Sequence, residues 1–368
     1  MNQCLNFFSF LLVFTAHFSF SQNNTSPSGL SGEASSVLTP KNEKYLKNIR
    51  RLTFGGNNAE AYWSPNSKSL TFQSDFKQWG VQCDQIFHLD IKKAERDTAY
   101  RPKMISTSFG RTTCSYFMPN GKDILYASTH LGGHACPAPP PADSKKYLWP
   151  LYPDFDIFIA NKKGKILKQL TQERGYDAEA TISPDGKKIV FTSDRSGDLE
   201  LYIMDIDGSN VRQITHALGY DGGAFFSPDS KRLVFRASRP TAEEDVKEYK
   251  DNLAKHLVAP TSMEIFTINI DGTKLKQVTH LGKANWAPFF HPSGKKILFA
   301  SNHHSKRGYD FQLYMINDDG TGLEQITTES IFNAFPMFSP DGKKLVWSSN
   351  RENWGTRDTN LFLADWED

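Results

Sequence analysis

The sequence predicts an all-β fold, a six-bladed β-propeller of four-stranded blades, and three observations carry the prediction. A segment of the type "SPDGKKIVF" recurs six times, with its turn proline at Pro65, Pro119, Pro184, Pro228, Pro292 and Pro340. Each recurrence opens a unit of about 44 residues that holds four short β-type runs with turn residues between them, the pattern of one propeller blade. The last unit stops after its third run, while an unattached run stands near the N-terminus, so the chain is able to close on itself.

Within a unit the first run reads "ATISPDG", "GAFFSPDS", "APFFHPSG" or "FPMFSPDG". Its proline sets φ for a tight turn, and the Asp, Asn, Ser or Gly that follows tolerates the remaining angles. A second run ("KKIVF", "KRLVF", "KKILF", "KKLVW"), a polar loop and a third run ("LYIMDI", "IFTINI") come next. A second turn of the "DGSN" kind then leads to a fourth run ending in "QIT", "QVT" or "QLT". The 3.6-residue spacing of a helical solenoid is absent. The sixth unit ends at "LFLADWED" with no fourth run. "NIRRLT" (Asn48 to Thr53) fits there, because Thr53 stands 12 residues before Pro65 and Thr171, Thr215, Thr279 and Thr327 each stand 13 before the next turn proline. A strand pairing in this way removes exposed edges.

One short helix is expected, in "TAEEDVKEYKDNLAKHL" of blade 4. Thr241 and Glu244 form a capping-box pattern, and Glu243 with Lys247 and Asp251 with Lys255 are i,i+4 pairs. Val246, Tyr249, Leu253 and Leu257 make one apolar stripe.

Residues 1–21 read as a signal peptide, since "LNFFSFLLVFTAHFSFS" is apolar, short and ends in small residues at Ser19 and Ser21. The n-region carries no Lys or Arg, and a retained signal anchor is the alternative. Residues 22–44 read as a flexible linker and 45–368 as the propeller. No other apolar run approaches the ~20 residues that span a bilayer, so the mature chain is expected without a transmembrane span, periplasmic or secreted, and monomeric. Its 38% apolar and 13% aromatic content supports a sizeable core. With 43 basic against 41 acidic residues, a net +2, nucleic acid is not an expected partner.

The pattern "SPDGKKIVF…SDRSGD…LYIMDIDGSNVRQIT" resembles the WD-like repeats of the TolB family, six-bladed propellers of the bacterial periplasm. The resemblance runs from Asn48 to Asp368. TolB itself carries an α/β domain before its propeller, and only a linker of about twenty residues stands in that place here. The resemblance therefore implies architecture, not a part in the Tol–Pal system.

The loops between second and third strands, and those between blades, share one face of such a fold, and that face holds the insertions Phe76–Cys83, His130–Pro153 and Pro240 to about Thr261. Two rings of residues map to it. Seven positions before each turn proline stand Asn58, Thr112, Asp177, Asp221, Asn285 and Asn333, read either as local Asx-type turns or as a ring facing the axis. Four positions after the second-strand aromatic stand Phe76, His130, Arg195, Arg239, His303 and Arg351, read as loop braces or as a basic rim for carboxylates. Glu60 and Glu179 align with Cys114 at the heads of the first strands of blades 1 to 3 and are candidates for paired carboxylates across the channel mouth.

Three cysteines follow the signal segment, and an exported compartment favours one disulfide and one thiol. Cys114 with Cys136 is the leading pair, with Cys83 to Cys114 second. His130, His134 and Cys136 are the weaker reading, a metal site, though their spacing fits no standard zinc pattern. No cofactor is expected, and a channel-bound divalent cation stays open. Neither G-x-S-x-G nor H-E-x-x-H occurs. The sequence therefore reads as an exported TolB-like scaffold for an envelope protein or peptide. The alternative is a metal-dependent carbohydrate- or lactone-active enzyme with its site at the channel mouth.

Overall fold

Four antiparallel strands in each of six sheets arise because each unit places three turns between apolar runs. In the computed structural model, which describes residues 34–39, 42–141 and 146–368, the inner strands are Asn58–Trp63, Thr112–Phe117, Asp177–Ile182, Asp221–Phe226, Asn285–Phe290 and Asn333–Phe338. Each pairs outward with a second, third and fourth strand; in blade 3 the order is Asp177–Ile182, Lys188–Ser193, Glu200–Asp205, Arg212–Gln213. Blade 6 takes its fourth strand from Leu46–Arg51, as the unfinished last unit predicts.

The blades pack through the second-strand aromatics Phe72, Tyr126, Phe191, Phe235, Phe299 and Trp347, all fully buried. Burying each of these rings stabilises the fold by roughly 2–3 kcal/mol. A polar relay also crosses seams between blades. The threonine of the "QIT" run accepts from the third strand's backbone, as Thr327 Oγ1 does from Leu313 N at 2.8 Å, and donates to that strand's first side chain, Gln312, at 2.7 Å. Gln312 in turn accepts from Asn333 of the next blade at 2.9 Å. Thr279, Glu264 and Asn285 repeat the arrangement one seam earlier. The recurring threonine is thus explained by satisfaction of buried polar groups.

Two expectations are corrected. Part of the 22–44 segment is built into the fold: Val37–Leu38 adds a fifth strand beside Leu46–Arg51, and the Glu43 carboxylate is buried against Arg351, at 3.0 and 3.1 Å. A carboxylate with a bidentate arginine and two backbone N–H donors, Thr328 and Glu329, orders a stretch whose composition alone reads as linker. The signal segment lies outside the described residues.

Besides a six-residue helix α1 (Ile91–Arg96), the chain forms the expected helix in blade 4, α2 (Glu243–Leu253). No capping box closes α2: its N-cap is Ala242, without a side-chain bond. Thr241 lies one residue too early, and Leu257 lies beyond the helix, in a short ribbon. Lys247 pairs with Asp251 at 2.5 Å along its exposed face.

Candidate functional site: the central channel

The inner strands line the axis, and their residues form stacked layers. Five positions before each turn proline stand Glu60, Cys114, Glu179, Gly223, Ala287 and Phe335, and all six have positive φ, from 40° to 61°. Beside each, the pairing with the second strand shifts register in a β-bulge. A bulge re-aims its side chain, and these point into the channel around a cavity of ≈ 30 Å³, room for about one water.

The layer is polar on one side. Glu179 accepts from Tyr220 Oη at 2.7 Å, Thr192 Oγ1 at 2.8 Å and Gly223 N at 3.0 Å, and pairs with the buried Arg236 guanidinium. Glu60 accepts from the Cys114 thiol at 2.8 Å and from Tyr62 Oη at 3.3 Å. Burial pushes the Glu60 pKa up; the Cys114 hydrogen bond opposes this and Glu179 adds to it. Burial, with Glu60 and Glu179, holds the Cys114 thiol well above its ordinary value, so it is a donor here and a poor nucleophile. Glu60 and Glu179 both line the channel, and Glu179 is paired with an arginine that the sequence reading did not single out. Arg236 breaks the apolar pattern of its strand, and that was the signal for it.

Above this layer the insertion-bearing mouth is covered. Trp149–Pro150 of the blade 2 insertion pairs with Leu257–Val258 of blade 4. Trp149 lies over the Arg236 guanidinium at 5.0 Å and against Trp286 at 5.2 Å. Trp286 Nε1 fastens the cap by donating to Pro260 O at 2.8 Å, and Tyr249 of α2 donates to Asp198.

The two rings expected at this face engage each other. Arg195 donates to Asp177 at 2.7 Å, Arg239 lies 2.6 Å from Asp221, and Arg351 reaches Asn333 at 3.2 Å. Asn58, Thr112 and Asn285 bond the backbone of the preceding blade, at 3.0, 3.0 and 2.8 Å. His130 and His303 turn Nδ1 to Ser128 and Ser301, at 3.0 and 2.9 Å, and Phe76 stacks edge-on against Trp79. Neither ring is a free set of ligand donors, because both close the seams where each inner strand begins.

The cysteine pairing is also corrected. Cys83 bonds Cys136, joining the insertions of blades 1 and 2, and Cys114 is the free thiol. Cys114 sits on an inner-strand bulge facing Glu60, away from the loops that carry the other two. With its sulfur in a disulfide, Cys136 is not a thiolate ligand, and His134 is stacked on Phe109 at 4.1 Å, so the candidate His130, His134 and Cys136 set does not assemble.

The seam between blades 3 and 4 carries two carboxyls, Glu200 and Asp221. Burial, then Asp221, raises Glu200 to about 8; burial raises Asp221 to about 6 against the opposing pull of Arg239. Both folded pKa values lie above their unfolded ones, so this seam stabilises fully below about pH 4 and loses that contribution as pH rises to about 8. Glu200→Gln, which mimics the protonated acid, is expected to gain on the order of 2 kcal/mol relative to wild type between pH 5 and pH 8.5. Taking the difference cancels His88, whose pKa burial lowers to about 4 and which pulls the other way. Parallel melting curves for the two proteins at all pH values would refute this.

Below the charged layer, three positions before each proline, stand Tyr62, Tyr116, Thr181, Phe225, Phe289 and Met337. Tyr62 packs on Tyr116 at 5.5 Å and on Phe225 at 6.0 Å, and Phe225 on Phe289 at 5.2 Å, forming an apolar floor. Beyond it the channel widens into an open funnel of ≈ 420 Å³, walled by Trp63, Phe117, Phe226, Phe290 and Phe338 and rimmed by all six turn prolines. This funnel opens at the end opposite the insertions, and the candidate residues did not include it.

Residues 152–253 match the model of the TolB beta propeller domain family. The chain is a TolB-like β-propeller. The TolB-like fold is shared with a protein of Agrobacterium tumefaciens assigned as TolB (TM-score 0.54, 19% identity, 85% of this chain on 91% of that one). TolB from Acinetobacter baumannii gives TM-score 0.50 at 19% identity, over 85% of this chain and 64% of its own. A gluconolactonase from Xanthomonas campestris superposes with TM-score 0.56 at 12% identity, over 91% and 95%. At these identities the likeness is one of fold. Among the described residues of this TolB-like chain, no helix is long and apolar enough to cross a membrane.

Proposed function

We propose that this TolB-like propeller is an exported scaffold of the cell envelope that holds a protein or peptide partner. The observation that carries the reading is the contrast between the channel's two ends: a ribbon of the two insertions covers the insertion-bearing mouth, whereas the opposite end is an open recess of ≈ 420 Å³ with aromatic side chains in its wall. An exposed recess of that kind is what a partner's side chains fill. The metal-dependent carbohydrate- or lactone-active alternative draws support only from the shared fold.

The test is affinity capture of the mature protein from its native envelope, with a Pro184→Arg/Pro292→Arg variant alongside and metal assayed on the same sample. Both prolines are exposed on turns, so the variant is expected to fold with a loss of about 1 kcal/mol or less per site. A partner held by wild type and lost by the variant supports the scaffold. No partner, with one metal ion per chain, transfers the assignment to the enzyme.

A further inference from the structure

Tyr249 and Leu253 of α2 pack on the core, and beside them Thr241, Asp245, Glu248 and Asn252 stand at helical spacing along one polar stripe. A polar stripe ordinarily faces open water. This one faces a wall: Lys146 of the blade 2 insertion, Arg239 just past the second strand of blade 4, and Thr261 on the return loop line the same cleft, of ≈ 250 Å³. No lining residue lies on an inner strand, so the cleft is separate from the channel. Part of its lining is held in place. Arg239 donates to Ser238 O at 2.7 Å, lies 2.6 Å from Asp221 and covers the Phe266 ring at 4.9 Å. Lys146 donates to both oxygens of Glu248, at 2.7 and 2.8 Å. The rest is uncommitted. Among the described residues, the side chains of Thr241, Asp245, Asn252 and Thr261 make no hydrogen bond or ion pair, so the cleft presents a carboxylate, an amide and two hydroxyls.

We propose that this cleft binds a neutral saccharide, one or two pyranose rings of a glycan. Charge decides first. Both cations are matched, Arg239 by Asp221 and Lys146 by Glu248, so an anionic ligand finds no unmatched positive charge and meets the carboxylate of Asp245. A cationic ligand meets Lys146 and Arg239 in the same small space. Polarity decides next. The apolar part of the lining is little more than the Tyr249 ring, Pro240 and Ala259, too small to seat a buried apolar anchor but suited to the C–H face of one sugar ring. Hydroxyls arranged around such a ring both donate and accept, which matches Asp245, Asn252, Thr241 and Thr261 in kind. The site stands whether or not the scaffold reading does, because none of its residues belongs to the open recess.

The experiment presents the mature wild-type protein to an array of neutral, uronate-bearing, sulfated and amino-bearing oligosaccharides, then titrates the best neutral oligosaccharide by calorimetry against three variants. Asp245→Ala/Asn252→Ala strips the helix side of the cleft at positions where Ala favours the helix. Thr261→Arg fills the cleft from the opposite wall without touching α2. Glu243→Ala removes a carboxylate from an exposed helix position outside the lining. Retention of neutral glycans is expected, with affinity about ten-fold lower or worse on the first two variants, changed by less than about two-fold on Glu243→Ala, and insensitive to salt. No glycan retained, retention confined to charged glycans, or equal loss on all three variants overturns the proposal. So does peptide binding that depends on Asp245 and Asn252 while no glycan is retained. Should the double variant fail to fold, unaltered binding by Thr261→Arg is enough to overturn it. Envelope capture of a protein partner that survives Thr261→Arg leaves the scaffold reading untouched, whatever the array shows.

Discussion

Glu179→Ala is expected to destabilise the protein by about 3–5 kcal/mol, among the largest effects available to a single substitution. The carboxylate is buried, satisfies Tyr220, Thr192 and Gly223, and is the counter-ion of Arg236. Its removal leaves the guanidinium without its paired counter-ion beneath the Trp149 cap, with only the more distant Glu60 in the channel. Arg236→Ala is expected to cost a similar amount for the mirror-image reason, since Glu179 would then share the channel with Glu60 and no cation. A backbone variant tests the same pair without touching either charge. A Cβ on Gly223 would lie 2.1 Å from Arg236 Nη1, at φ +61°, so Gly223→Ala is expected to displace the guanidinium and lower the melting temperature in the same direction. Urea denaturation measures all three. A loss under 1 kcal/mol for Glu179→Ala would mean that the pair is solvated and the channel is not closed.

The second large effect is at the seam that closes the ring. Arg351→Glu is expected to destabilise by roughly 3 kcal/mol or more, because it places a carboxylate against the buried carboxylate of Glu43 and removes one of the donors to Asn333 Oδ1. The damage should be local before it is global. Glu43 joins Arg351 to the backbone of Thr328 and Glu329 just ahead of Leu46–Arg51, so amide exchange in that strand should quicken more than in Lys188–Ser193 of blade 3. The exchanged pair Glu43→Arg/Arg351→Glu should recover part of the loss. An unchanged melting temperature with uniform exchange would return Arg351 to the role of an exposed rim cation.

The repeat made the blades legible, because each turn proline, each "QIT" threonine and each second-strand aromatic performs the same local task six times. Closure by residues near Asn48 was legible for the same reason, as the one run missing from the last unit. The site was less so. Glu60 and Glu179 stand out as acids at the heads of inner strands, yet their partners, Cys114, Tyr220 and Arg236, lie 54, 41 and 57 residues away along the chain. Nothing in local spacing joins them. Cys83 and Cys136 were misjudged for a related reason: they lie on loops of neighbouring blades, and which loops meet depends on how the blades splay.

The funnel shows a different kind of omission. Its aromatics and prolines all recur, and recurrence reads as scaffold when blades are compared one by one. Only the circular arrangement turns six ordinary turns into one rimmed recess.

What the sequence determined by itself is therefore the part of this protein specified by local chemistry: turn geometry, strand alternation, blade number and the order in which the blades close. Tertiary structure decided which charges neutralise each other, which mouth of the channel is covered, and where an open recess is left. Those outcomes depend on side chains from separate blades converging on one axis. Burial there makes an unpaired charge costly, so the partners are set by proximity in space, which spacing along the chain does not encode.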